Sequence, residues 1–178
     1  MDSADTSDIV GADANCCPST DTPSGRRRTC RTYDVGMTAG ERLRRYLNLI
    51  NLSTPVGLAV AKVAGCSLQR GPRGLLVAQG YTWPVPKAAA FTLGNVVLLR
   101  PTAAHLAANS VLMGHEARHS TQYACCLGLP FLPLYGAAAL WSLLRTGDLA
   151  SRNIFERWAG LREGGYLERP VRRRRTKN

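Results

Sequence analysis

From Ser120 to Leu144 the chain runs for twenty-five residues without a charge. No other stretch limits the fold as strongly, because a run of that length can cross a bilayer. Gly128, Pro130 and Pro133 interrupt its middle, and they favour a helical hairpin over one continuous span. Such a hairpin is either plain core or a re-entrant element dipping into one leaflet, with Arg145, Arg152 and the C-terminal arginines on anionic headgroups. The sequence leaves core and membrane insertion of 120–144 both open.

The rest of the chain has enough to bury around that hairpin. Of 178 residues, 45% are apolar, which suits one folded domain rather than a disordered chain. Residues 1–31 are rich in Asp, Ser, Thr, Pro and Gly and then in Arg. They are expected to form a disordered tail, acidic first and Arg-rich after. The basic tail 170–178 reads the same way, leaving 32–169 as the domain. The net charge of +11 raises nucleic acid and anionic membrane as partners. Arg26–Arg28 and Arg172–Arg175 come without aromatic interleaving or a recognition-helix pattern, so nucleic acid is disfavoured. The six cysteines form no CxxC pair, and the acidic N-terminus lacks the apolar run of a signal peptide. The expected setting is cytoplasmic, with peripheral contact at the inner face of the membrane as the alternative.

Local patterns predict an α+β fold. Thr38 and Glu41 have capping-box spacing ahead of Leu43, Tyr46, Leu47 and Ile50. Pro55 opens a second helix that Gly65 ends. Gln69–Gly74 reads as a loop and Leu75–Trp83 as a strand. Ala89–Leu93 and Val96–Leu99 flank Gly94-Asn95 as a hairpin. The expected sheet is small and antiparallel, with about three strands. Helices follow over Thr102–Leu127, Pro133–Leu144 and Leu149–Ala159, with Asp148 as a cap.

The chemistry lies in Met113-Gly-His-Glu-Ala-Arg-His-Ser-Thr-Gln-Tyr123. His115 and His119, four apart, share a helical face and can reach one metal ion. Glu116 can take a proton from a water at the open position, and zinc lowers that water's pKa from about 15.7 toward about 7. Catalytic zinc takes three protein ligands. The candidates for the third are His105, Asp148, Glu156 and Glu163. His105, ten residues before His115, lies some 15 Å along the expected helix and cannot join.

Asn153-Ile-Phe-Glu156-Arg-Trp-Ala159 on a later helix, together with HExxH, resembles the glutamate-type zincin metallopeptidases. His119-Ser-Thr-Gln122 is also similar to small, uncharacterised bacterial zincin-like domains with HExxHxxQ. The resemblance covers about residues 90–160 and implies a mainly helical zincin-like core. It implies His115, His119 and Glu156 as zinc ligands, Glu116 as general base and Asn153 as a residue that fixes the first helix or its histidine. It also implies a residue that steadies the oxyanion, for which Tyr166 is our choice over Tyr123 and Tyr135. The 37 residues from His119 to Glu156 exceed the familiar spacing, yet the helix lengths let the chain return to the histidines. The function implied is a zinc-dependent hydrolase, a peptidase acting on peptide or protein. The alternative is an inactive zincin-like protein, membrane-associated or a scaffold. The oligomeric state is not legible.

Overall fold

Three layers position the site: a helix, a sheet and a second helix. In the computed structural model residues 36–172 are described, and they fall in one compact unit, Thr32–Asn178. The expected tail 1–31 and Arg173–Asn178 of the C-terminal tail lie outside the described residues.

Helix α1, Ala39–Ile50, starts at the predicted capping box: the Glu41 N–H donates to Thr38 Oγ1 at 3.2 Å and the Thr38 N–H to Glu41 Oε2 at 2.9 Å. Helix α2, Ser53–Val63, follows. The sheet contains β1 (Ser67–Arg70), β2 (Leu76–Gln79), β3 (Ala90–Leu93) and β4 (Val96–Leu99) in the order β1-β2-β4-β3. The expected three-stranded antiparallel sheet is therefore corrected to a four-stranded mixed one. β4 pairs parallel with β2 and antiparallel with β3. All four β4 residues are buried, as suits a central strand covered on both faces. Val97 and Leu99 pack with Val77, Met113 and Ala117 on one side. Val96 and Leu98 pack with Ala61 and Ala78 on the other. β1 overlaps the expected Gln69–Gly74 loop at Gln69 and Arg70; its residues are all exposed and carry no alternation, so no pattern marks it as a strand. The Gly94 turn has φ of +61° and its absent Cβ would sit 2.4 Å from Thr54 N, so only glycine lets the hairpin dock on α2.

The expected helix over Thr102–Leu127 is two elements. A 3₁₀ segment spans Pro101–Ala108, and α3 spans Ser110–Cys125. Asn109 separates them: its side chain accepts from the Val111 and Leu112 N–H groups, so it caps α3 instead of continuing the turn before it. The charge-free stretch divides among the end of α3, a turn with positive φ at Leu127 and Gly128, and α4, Phe131–Thr146. No helix among the described residues is long and apolar enough to cross a membrane. The last helix, α5, is Ile154–Ala159 rather than Leu149–Ala159. Asp148 spends its carboxylate on the Ala150 and Ser151 N–H groups and the Ser151 hydroxyl, making a turn where helix was expected.

Candidate metal centre

Helix α3 meets the sheet through Met113 and Ala117, which aims the histidines away from it toward α5. One turn on, Ser120 is locked in place. Its Oγ donates to Asn95 Oδ1 at 2.6 Å, and Asn48 Nδ2 donates to its carbonyl at 2.8 Å. Buried and fully paired, this network fixes α1 and the β3–β4 turn to α3.

His115, His119 and Glu156 come together, all buried, with one possible ligand atom from each within 4.8 Å of the others. The two Nε2 atoms lie 3.0 Å apart. Glu156 Oε2 is 3.4 Å from His115 Nε2 and 3.6 Å from His119 Nε2.

The ring protons decide what this cluster can hold. His115 Nδ1 lies 3.1 and 3.0 Å from the Ala159 and Gly160 carbonyl oxygens. Carbonyls only accept, so Nδ1 carries the proton and Nε2 a lone pair. His119 Nδ1 lies 2.8 Å from Gln122 Oε1, whose orientation follows from Gln122 Nε2 donating to the Phe155 carbonyl at 2.9 Å. His119 Nε2 is thus a lone pair as well. Glu156 Oε2 is buried without a hydrogen-bond partner. With both rings neutral, two imidazole lone pairs and a carboxylate oxygen therefore converge. The three atoms could hold a divalent cation, for which a proton at an imidazole Nε2 would compete. The donor set, two nitrogens and one oxygen, fits zinc with an open position.

The remaining contacts assign the neighbours. The Tyr135 hydroxyl donates to Glu156 Oε1, so Tyr135 orients a ligand and is not free for the substrate. Tyr123 is buried with its ring 4.5 Å from that of Phe131. Tyr166 lines the same cleft, its ring 6.4 Å from that of His115, and its hydroxyl has no hydrogen-bond partner among the described residues. Burial first, then the Glu156 and Glu116 carboxylates, push the Tyr166 phenol well above its ordinary value, so it remains a neutral O–H donor. Glu116 Oε2 accepts from Thr92 Oγ1 of β3 at 2.6 Å.

Other expectations change. Asn153 makes no hydrogen bond to α3 among the described residues; its Oδ1 accepts from the Phe155 N–H, so it caps its own helix, and its Nδ2 is buried without a partner. As expected, His105 stays out of the cluster, exposed on the 3₁₀ segment, and the other candidate Glu163 pairs with Arg118. Thr92 and the ligand-holding role of Tyr135 had no local signature. Gly164 did, as half of a Gly-Gly pair before Tyr166. A Cβ at Gly164 would lie 2.5 Å from His115 Cε1, so the 160–166 loop can close over that ring only with glycine.

No family model, curated protein or solved structure matches the chain. The likeness to zincins thus rests on the residues just described.

The cleft beside the cluster measures about 470 Å³ and is mostly apolar, with Tyr81, Trp83, Phe91, Leu93, Phe131 and Leu132 in its walls. All four residues of β3 line it, and β3 is an edge strand.

Two expected outcomes arise here. Tyr135→Phe keeps the ring but removes the donor to Glu156, and should weaken zinc binding about tenfold in a chelator-competition titration. The second concerns pH. Burial alone would lower the His119 pKa, but Glu156, Glu116 and Gln122 outweigh it and raise the value above its ordinary 6.5. A proton and a metal ion compete for the same lone pair. Zinc affinity should therefore be full above the raised pKa and decline as pH falls through it, before pH reaches about 6.5. Retention unchanged down to about pH 5 would contradict that competition.

Proposed function

We propose that the chain is a zinc-dependent hydrolase whose substrate is a peptide or an extended protein segment. The observation that carries this reading is the convergence of His115 Nε2, His119 Nε2 and Glu156 Oε2 with both Nδ1 protons already committed to oxygens. Zinc held by these three atoms would supply Lewis acidity and would bring the pKa of a water from about 15.7 toward about 7.

The chain's own groups supply the rest. Thr92 holds Glu116 Oε2, and no described group donates to Oε1, which is left to take the water's proton and pass it to the leaving amine. The Tyr166 hydroxyl, neutral and unpaired, donates to the carbonyl oxygen as negative charge grows there. The free edge of β3 pairs with an extended backbone and brings its amide to the site. The apolar cleft takes a large apolar side chain beside the scissile bond.

The test is cleavage of a fluorogenic peptide library by the purified full chain. Cleavage should stop on chelation, return with added zinc, and favour peptides with large apolar residues. A library left intact by the zinc-loaded chain, or cut equally after chelation, would overturn the proposal.

A further inference from the structure

Helix α4 is built the wrong way round for water. Beside Phe131 and Ala139, its inward side carries polar groups: the Tyr135 hydroxyl on Glu156, Ser142 Oγ accepting from the Arg152 N–H at 2.7 Å, and Thr146 Oγ1 donating to the Ser142 carbonyl at 2.8 Å. Its outward side carries Leu132, Leu134, Leu140, Trp141, Leu143 and Leu144, and Arg145 is the only polar residue on it. Leu140, Trp141 and Leu144 are 55%, 57% and 67% exposed. A helix of a water-soluble domain puts its apolar stripe inward, so this face requires a cover.

Three observations choose the cover. The first is length. At 16 residues α4 is about 24 Å long, short of the roughly 30 Å of a hydrocarbon core, so it can lie in an interface but not cross one. The second is charge. The Arg172 N–H donates to the Arg145 carbonyl at 2.8 Å, so Arg172, the first of four consecutive arginines in the sequence, sits at the C-terminal end of α4. Neither Arg145 nor Arg172 has a carboxylate partner among the described residues, while the Arg145 guanidinium lies 5.3 Å from the Trp141 ring centre. An apolar helical face flanked by arginines and free of acid is the chemistry that binds anionic lipid. The third is the weakness of the other covers. Residues 1–30 are polar and acidic, with little apolar surface to offer, and a second copy would bring another +11 against the same arginines.

We infer that the outward face of α4, with Arg145 and Arg172 at its end, docks the protein on an anionic bilayer surface. Leu132 also lines the cleft beside the metal ligands, so docking brings one cleft wall to the lipid surface. Substrates held near the membrane would reach the site first.

The experiment is flotation of the zinc-supplemented full chain with vesicles of phosphatidylcholine alone or mixed with phosphatidylserine. The chain should float with the mixed vesicles, less so at high salt, and little with phosphatidylcholine alone. Leu140→Glu/Trp141→Glu should weaken that binding about a hundredfold, and Trp141→Ser about tenfold. Both changes lie on an exposed face, so circular dichroism and metal content should match wild type. Failure of wild type to float would overturn the inference. So would equal flotation of the double variant, which would assign the binding to the arginines alone. A vesicle-free dimer that Leu140→Glu/Trp141→Glu converts to monomer would overturn it in favour of a second copy. None of these readouts uses peptide cleavage, so the docking surface and the proposed hydrolase stand or fall separately.

Discussion

Glu116→Gln should load zinc as the wild type does and cleave peptide about a thousandfold more slowly. The substitution is nearly isosteric. The amide still offers an oxygen to the Thr92 hydroxyl, which donates to the native carboxylate at 2.6 Å, so the buried pair with β3 survives. Neither histidine loses a contact, because the partners of His115 and His119 are the Ala159 and Gly160 carbonyls and Gln122. What disappears is the ability to accept a proton. A purely structural Glu116 would tolerate the amide and leave kcat near wild type, so kcat on the best library peptide, measured with metal content, separates the two roles. Thr92→Val tests the support beneath it. The base would lose its one described donor, and kcat should fall with zinc binding unchanged.

The second large effect belongs to Glu156. Changing it to Ala removes the only carboxylate of the cluster and leaves two imidazole lone pairs 3.0 Å apart. It also strands the buried Tyr135 hydroxyl, whose only described acceptor is Glu156 Oε1. Loss of an orienting partner costs about 10- to 100-fold in metal affinity, so loss of a ligand should cost at least about a hundredfold. Within the metal-free protein the carboxyl has a further effect. Burial pushes it up, but the His115 and His119 imidazoles, once a proton replaces the metal at Nε2, and the Tyr135 hydroxyl more than reverse this and hold it well below the usual carboxylate range. A depressed pKa contributes stability above about pH 4.5 that is lost as pH falls. In Glu156→Ala that acid-labile contribution should vanish, and the pH dependence of unfolding for the metal-stripped protein should flatten on its acid side.

How much of this could be read beforehand divides by range. The Thr38–Glu41 capping box, the Gly94 turn and the shared face of His115 and His119 are set by residues three or four apart, and the chain shows them directly. Glu156 was reachable only through its motif, because 37 residues of intervening fold decide whether it meets the histidines. The parallel pairing of β2 with β4 left no local mark; Val96-Val-Leu-Leu99 suits any strand buried on both faces. Asn109 broke a helix that Ala-rich composition had extended, since a side-chain cap outcompetes a modest propensity. Thr92 and Tyr135 gained their roles only when β3 and α4 were laid against α3 and α5. The charge-free stretch was read correctly as interrupted, but its exposure on α4 follows from packing and not from composition.

Metal analysis of the purified full chain, expressed with zinc present, tests the account most directly. Wild type should carry about one equivalent of zinc per chain, and His119→Ala should lose it. A wild-type protein that keeps no stoichiometric metal, or a His119→Ala variant that keeps as much as wild type, would contradict it.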